Sequence, residues 1–269
     1  MTRFTAITTC KGRLEHIRQT LPALCAQADC EVVVVDYDCP DGVGAWVRSA
    51  QPDAWVVRAS DRPLFNISEA RNLGAAAASG EWLIFLDADV LVSPTLTEQI
   101  APLLSPGVFL LPDPRTDELW GALVVSRADF EAVGGYDEAF EGWGSEDLDM
   151  TTRLWLAGRS VAAFPGELLT SLPHGEDERT RFHAIGDRGL NVGVNSLYRA
   201  IKTDLLKLGA ELDLAARRRL YDDVRRAITA PGGPTTLRVG FRQTEHGGRS
   251  VSTSLTYELK AAAPPTTPD

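Results

Sequence analysis

An apolar run in this chain ends in two carboxylates. Trp82-Leu83-Ile84-Phe85-Leu86 leads directly into Asp87-Ala88-Asp89, after which Val90-Leu91-Val92 resumes the run. A short stretch with no polar alternation is the pattern of a strand covered on both faces. Carboxylates at the end of such a strand are costly unless something positive neutralises them. In an extended chain side chains alternate, so Asp87 and Asp89 are expected to point the same way. Two hard oxygen ligands suit a divalent cation, and a divalent cation suits a diphosphate. The same pair also suits a turn and N-caps ahead of the Ser93-Pro94 helix start, and the motif alone leaves both readings open.

A second acidic group follows in Gly142-Trp143-Gly144-Ser145-Glu146-Asp147-Leu148-Asp149. Acids in the first turn of a helix are favoured by the macrodipole, which accounts for Glu146 and Asp147 without any chemistry. It does not account for a tryptophan held between two glycines just before them. Gly142 and Gly144 permit unusual backbone angles and close ligand approach, and Trp143 offers a flat apolar face. Such a face beside a carboxylate that accepts hydroxyl hydrogen bonds fits a sugar ring. Asp36 places a further acid at the end of the run Val32-Val33-Val34-Val35.

These residues need a scaffold, and the hydrophobic periodicity supplies one. Strands are expected at Phe4–Thr8, Glu31–Asp36, Trp55–Arg58 and Trp82–Asp87. Helices are expected over residues 13–27, Val43–Ser49 and Ser68–Ser79, the last with Ser68 as N-cap and Gly80 as its stop. This alternation implies a parallel α/β sheet, whose ligands bind past the carboxyl ends of the strands. The second half is more mixed: strands at Val108–Leu111, Ala122–Val125 and Val161–Phe164, and helices at Leu96–Leu104, Ala128–Val133 and Ser145–Ala157. Residues 165–190 are polar and punctuated by glycine, as expected of a functional loop or lid. Helices at Leu197–Ile201 and Leu205–Ile228, a hairpin around His246-Gly247-Gly248 and a disordered tail complete the chain.

Composition narrows the partners. A length of 269 residues is ample for a sizeable core, and 44% hydrophobic with 24% charged residues is ordinary for a globular protein. The formal charge of −10 argues against nonspecific nucleic-acid binding and against docking on anionic lipid. The four cysteines, Cys10, Cys25, Cys30 and Cys39, lack paired metal-ligand spacing and read as reduced thiols. The N-terminus is too short and polar for a signal-peptide core, and no run approaches a membrane span; a cytoplasmic location is the expectation.

Taken in order, the motifs resemble nucleotide-sugar glycosyltransferases of the GT-A fold. Thr8-Thr9-Cys10-Lys11-Gly12-Arg13 and the strand ending at Asp36 look like the general inverting pattern. The segment from Phe65 to Tyr198 is similar to the β-1,4-galactosyltransferase group and to the part that group shares with polypeptide N-acetylgalactosaminyltransferases. The pieces are Phe65-Asn66, Ala70-Arg71-Asn72-Leu73-Gly74, Asp87-Ala88-Asp89, Trp120-Gly121-Ala122, Gly142 to Asp149, His174-Gly175-Glu176-Asp177 with Arg181-Phe182, and Gly193-Val194-Asn195-Ser196-Leu197. Ser145 stands where the galactosyltransferase group has glycine, and Leu148 where it has a third acid.

The resemblance implies a GT-A architecture, a Rossmann-like mixed sheet flanked by helices, over residues 1–202. A helical and hairpin extension over 203–260 and a tail over 261–269 lie outside it. It implies a nucleotide-sugar donor, UDP-linked by analogy, with Thr8, Asp36, Phe65, Arg71, Asp87 and Ala88 along the nucleotide. Asp89 and His174, with Asp87, would hold Mn²⁺ or Mg²⁺; taken alone, His174 reads as a surface histidine. Trp120, Gly121 and Trp143 would wall the sugar pocket, although either tryptophan also suits a core. Glu146 and Asp147 would hold the acceptor, with Asp147 as general base for inverting transfer. A retaining transferase, a sugar nucleotidyltransferase and a non-catalytic sugar-binding module are the alternatives, and an exposed hairpin edge could pair two subunits.

Overall fold

A computed structural model of the chain describes residues 2–173, 175, 181–229, 231 and 236–259. His174, Asp177 and the tail over 261–269 lie outside the described residues. The first half runs β1 (Phe4–Cys10), α1 (Leu14–Cys25), β2 (Cys30–Tyr37), α2 (Val43–Ala50), β3 (Trp55–Ala59), α3 (Ile67–Ala77), β4 (Trp82–Asp87), β5 (Val90–Val92) and α4 (Leu96–Ile100). The second runs β6 (Val108–Asp113), β7 (Leu123–Ser126), α5 (Arg127–Ala132), α6 (Glu146–Leu156), β8 (Ser160–Pro165), β9 (Leu169–Ser171), α7 (Arg188–Lys207), α8 (Leu214–Thr229), β10 (Thr236–His246) and β11 (Arg249–Glu258).

Seven strands form one sheet in the order β3-β2-β1-β4-β7-β6-β8. β1 to β4 are mutually parallel, β7 runs antiparallel to β4 and β6, and β8 is parallel to β6. The sheet is therefore mixed, and the parallel arrangement expected from the first half holds only there. Its order reverses at β1, which pairs with β2 on one side and β4 on the other. In that register Cys10 lies opposite Asp36 and Thr9 opposite Asp87, so the acidic strand ends meet at the topological switch point.

The period-2 patterning sorts the core onto two faces. Phe4, Ala6, Val32, Val34, Ile84 and Leu86 pack against Ile17, Leu21 and Leu24 of α1 and Val47 of α2. Ile7, Val33, Val35, Leu83 and Phe85 pack on the other face against Ala70 of α3 and Met150 and Leu154 of α6. Asp36 shares parity with the first set and Asp87 with the second. The two acids meet at the switch point but face opposite sides of the sheet.

Several local details differ from the sequence reading. α3 is capped by Asn66, whose side chain accepts from the Glu69 amide at 3.0 Å, while Ser68 is fully buried at the second helical position. Asp87 ends β4, but Ala88 and Asp89 form a turn, so the motif is not extended through its length. Leu91 sits in a small two-stranded sheet that β5 forms with β9. The helix expected from Leu197 starts instead at Arg188, where the Asp187 side chain accepts from the Leu190 amide at 2.9 Å. Gly189 and Gly193 are absorbed within it.

The boundary expected at residue 202 falls inside α7. Lys202 is 1% exposed and lies 2.5 Å from both Asp137 and Asp149, while Arg217 of α8 reaches Asp137 at 2.7 Å. A third apolar cluster joins Ala139 and Phe140 to Val194, Tyr198 and Ile201 of α7, to Leu220, Tyr221 and Val224 of α8 and to Leu237 of β10. The C-terminal helices thus pack on the segment that leads into α6. No described helix is long and apolar enough to cross a membrane.

Candidate active site at the sheet switch point

A cavity of about 340 Å³ opens past the carboxyl ends of β1 and β4. Its lining includes Thr9, Asp87, Ala88 and Asp89 from the strand ends, and Trp143, Glu146 and Asp147 from the start of α6. Phe65, Trp120 and Gly121 complete the part of the wall expected from sequence. Acids far apart in the chain are brought together because β4 and the N-terminus of α6 converge on one side of the sheet.

Arg71, on α3, organises that convergence. Its Nη1 donates to Asp147 Oδ1 at 2.6 Å and lies 3.5 Å from Glu146 Oε1; its Nη2 donates to Asp87 Oδ1 at 2.9 Å. The guanidinium also stacks over Tyr136, 4.9 Å from the ring centroid. The planar fork of the guanidinium serves carboxylates in two directions at once. Gly121 makes room for the cluster: a Cβ there would lie 2.4 Å from Asp87 Oδ2 and 2.6 Å from Arg71 Nη2.

Three carboxylates face the Arg71 guanidinium, with Arg115 acting on Asp147 as a second positive charge. Burial and the charge of Asp147 raise the Glu146 carboxyl well above the ordinary range, with Arg71 opposing. Burial likewise raises Asp147, and Arg71 again opposes. The two carboxyls are neighbours in sequence, and each affects the proton affinity of the other. A carboxylate with raised proton affinity, oriented by an arginine and held near a cavity, is what a general base requires.

The loop before α6 is locally strained. Gly142, Gly144 and Ser145 all have positive φ, at 74°, 96° and 75°. For Ser145 this left-handed conformation carries a steric cost of about 1–2 kcal/mol. The Ser145 hydroxyl lies 3.3 Å from that of Ser196 on α7. This contact gives a serine a role where the galactosyltransferase group has glycine.

At the other end, Asp89 is 8% exposed and its Oδ2 is 3.5 Å from Arg13 Nη1. Asp87 keeps a third of its side chain exposed. Phe65 meets Tyr37 edge-on at 5.4 Å and stacks with His183 at 6.3 Å, and its amide donates to Phe182 O at 2.8 Å. Phe182 in turn covers Gly12, where a Cβ would strike the ring at 2.3 Å. Residues 181–183 therefore close over the Phe65 side of the cavity.

Three residues expected along a nucleotide lie off the lining. Asp36 points to the opposite sheet face, accepts from the Cys39 amide at 3.0 Å and packs against Gly44 of α2. Thr8 is 3% exposed with its hydroxyl buried and unpartnered, while its neighbour Thr9 lines the cavity. Arg71 is 2% exposed beneath the floor, so it acts on the cavity through the carboxylates it holds. Arg13, from the opening motif, lines the cavity without having been given a role, and His183 and Val192 line it from outside every quoted motif. A lone arginine or histidine in a loop carries no local signal, and Val192 becomes visible only once α7 is known to start at Arg188.

The sheet order and the place of the cavity at its switch point are those of the GT-A fold. The sequence profile described as "Glycosyl transferase family 2" matches residues 5–117, and that described as "N-terminal domain of galactosyltransferase" matches residues 112–175. Both profiles describe glycosyltransferases, and the fold agrees with them. Among solved structures, S. aureus TarS 1-349 in complex with UDP-GlcNAc superposes with a TM-score of 0.61 at 16% identity, covering 83% of this chain and 72% of that one. The mannosyltransferase PcManGT from Pyrobaculum calidifontis, in complex with GDP-Man and Mn²⁺, gives 0.56 at 18% identity, covering 84% and 73%. Polypeptide N-acetylgalactosaminyltransferase 3 of Taeniopygia guttata is 27% identical over 164 residues, covering 41% of this chain and 26% of that one. The chain spans about a quarter or less of the length of the curated relatives it matches.

Proposed function

We propose that the protein transfers a sugar from a UDP-sugar to an acceptor hydroxyl with inversion at the anomeric carbon. The observation that carries this reading is the Glu146–Asp147 pair, raised in proton affinity and sharing one cavity with the Asp87–Asp89 strand end. Asp147 takes the proton of the acceptor hydroxyl as its oxygen attacks the anomeric carbon. The bond from that carbon to the diphosphate oxygen breaks, and its electron pair leaves with the nucleoside diphosphate. Arg71 holds Asp147 through Oδ1 and so orients the carboxylate. Trp143 and Trp120 supply apolar faces for sugar rings. UDP is favoured as the carrier because UDP-GlcNAc is bound by TarS and because the matched relatives are named as N-acetylgalactosaminyltransferases.

The all-oxygen donor chemistry of Asp89 and Asp87 fits a hard divalent cation such as Mn²⁺ or Mg²⁺. Among the described residues no group of three or more His, Cys, Asp or Glu side chains is placed to hold a metal, so donor diphosphate oxygens would complete the coordination. When bound, such an ion would offset the charge that develops on the leaving diphosphate. A metal-independent reading draws on Arg13, whose guanidinium beside Asp89 is placed to meet a diphosphate itself. A panel of sugar nucleotides assayed with Mn²⁺ and with EDTA tests both. Release of UDP only with metal supports the first reading, equal release under EDTA supports the second, and no turnover with any donor contradicts transfer.

A further inference from the structure

The tryptophan loop at the cavity is held by the C-terminal helices. Asn195 on α7 is fully buried, and its Nδ2 reaches three carbonyls of that loop: Glu141 O at 3.0 Å, Trp143 O at 3.2 Å and Gly144 O at 2.9 Å. One turn earlier on the same helix face, Asn191 fills the space beside Gly142, where a Cβ would lie 1.9 Å from its Oδ1. One residue later, Ser196 meets Ser145. A single face of α7 therefore contacts the loop from Glu141 to Ser145.

Asn195 is itself fixed from α8. The Tyr221 hydroxyl lies 2.9 Å from Asn195 Oδ1 and 2.9 Å from Glu141 O, within donating distance of both. Donation to Oδ1 sets the amide orientation, so that Nδ2 and not the oxygen faces the loop carbonyls. The Tyr221 ring is anchored edge-on against Tyr198 at 5.3 Å, and Tyr198 against Phe140 at 4.9 Å. These contacts matter because the loop's left-handed residues are not a conformation the chain adopts unaided.

We propose that Asn195 and Tyr221 are positioning residues that set the Trp143 loop, and hence the acceptor side of the cavity, from the C-terminal helix pair. The assignment of that side to the acceptor rests on the transferase reading above. The mechanical claim does not: Trp143 is held in one place by a hydrogen-bond chain that begins on α8. The extension is thereby part of the machinery for acceptor selection.

Tyr221→Phe removes one hydroxyl and keeps the ring packing, so it is the mild variant. Asn195→Asp keeps the shape and the acceptor for Tyr221 but sets a carboxylate oxygen against the three loop carbonyls. The full chain is labelled with 5-fluorotryptophan, and the Trp143 resonance is assigned with Trp143→Phe. Both variants are expected to shift or broaden the Trp143 ¹⁹F line while leaving the melting transition cooperative. In transfer assays the acceptor KM is expected to rise roughly 3–10-fold, the scale of one lost hydrogen bond. UDP affinity by calorimetry is expected to stay unchanged. An unmoved Trp143 line in both variants overturns the proposal. A moved line in a protein that transfers to no acceptor upholds the clamp and sinks the transferase reading. A moved line with unchanged acceptor KM overturns the link to acceptor selection.

Discussion

Replacing Asp147 by asparagine separates chemistry from architecture at this site. The amide side chain keeps the volume of the carboxylate and an oxygen able to accept from Arg71 Nη1, which lies 2.6 Å from Oδ1 in the parent. It loses one negative charge and the ability to take a proton. Loss of general-base catalysis costs about 10²–10⁴ in rate, or about 3–5 kcal/mol of transition-state stabilisation. The effect on folding is smaller, because two terms oppose each other. Attraction to Arg71 is lost, about 4 kcal/mol at 4 Å in an effective dielectric of ~20. Repulsion from Glu146 and Asp87 and the desolvation of a buried charge are relieved. A net change within ~1–2 kcal/mol is expected from that opposition. Initial rates on the donor and acceptor found by screening, thermal melting and UDP calorimetry give three separate readouts. The expected outcome is a large fall in kcat with near-parental UDP affinity and a cooperative melt. A folded Asp147→Asn protein with rates within about threefold of the parent, far short of that loss, would show that the base lies elsewhere.

Four further outcomes follow from the same geometry. Because burial raises the Glu146 and Asp147 carboxyls, the acidic limb of the pH–rate profile is expected above the ordinary carboxylate value of about 4. The linked stability has the matching sign: a carboxyl raised in the folded state contributes most below its unfolded pKa and loses that contribution as pH rises through the folded value. Denaturant titrations of parent and Glu146→Gln between acidic and neutral pH should show the parent losing more stability as pH rises. Gly121→Ala would drive a methyl into the Asp87–Arg71 pair, and a loss of about 1–3 kcal/mol in stability with a larger loss of activity is expected from melts and rates. Lys202→Met would leave Asp137 and Asp149 buried beside an apolar tip, with an expected cost of about 3–5 kcal/mol by chemical denaturation.

What could be read in the sequence was what depends on local pattern. The runs Val32–Val35 and Leu83–Leu86 became central strands because period and apolarity are sufficient for that. Glu146 and Asp147 were legible because two glycines around a tryptophan mark an unusual loop. The placement of Asp36 was not legible, because its strand parity turns it toward α2, and parity matters only once the switch point fixes which face holds the cavity. Arg71 looked like a ligand contact and proved to be the buried counter-charge of three acids. Nothing in Ala70-Arg71-Asn72 reveals that Asp87 and Asp147 will arrive at its two nitrogens. The role of α7 and α8 was hidden for the same reason. Asn195 and Tyr221 gain meaning only through carbonyls about fifty and eighty residues earlier in the chain.

The central claim is a single displacement at an anomeric carbon in the cavity between Asp89 and Asp147. Real-time NMR of the complete reaction, with a UDP-α-sugar donor and the acceptor identified by screening, tests it most directly. The account predicts UDP appearing in step with a β-linked product, at a rate that depends on acceptor and collapses in Asp147→Asn. An α-linked product would contradict the inverting mechanism, and pyrophosphate in place of UDP would contradict glycosyl transfer altogether.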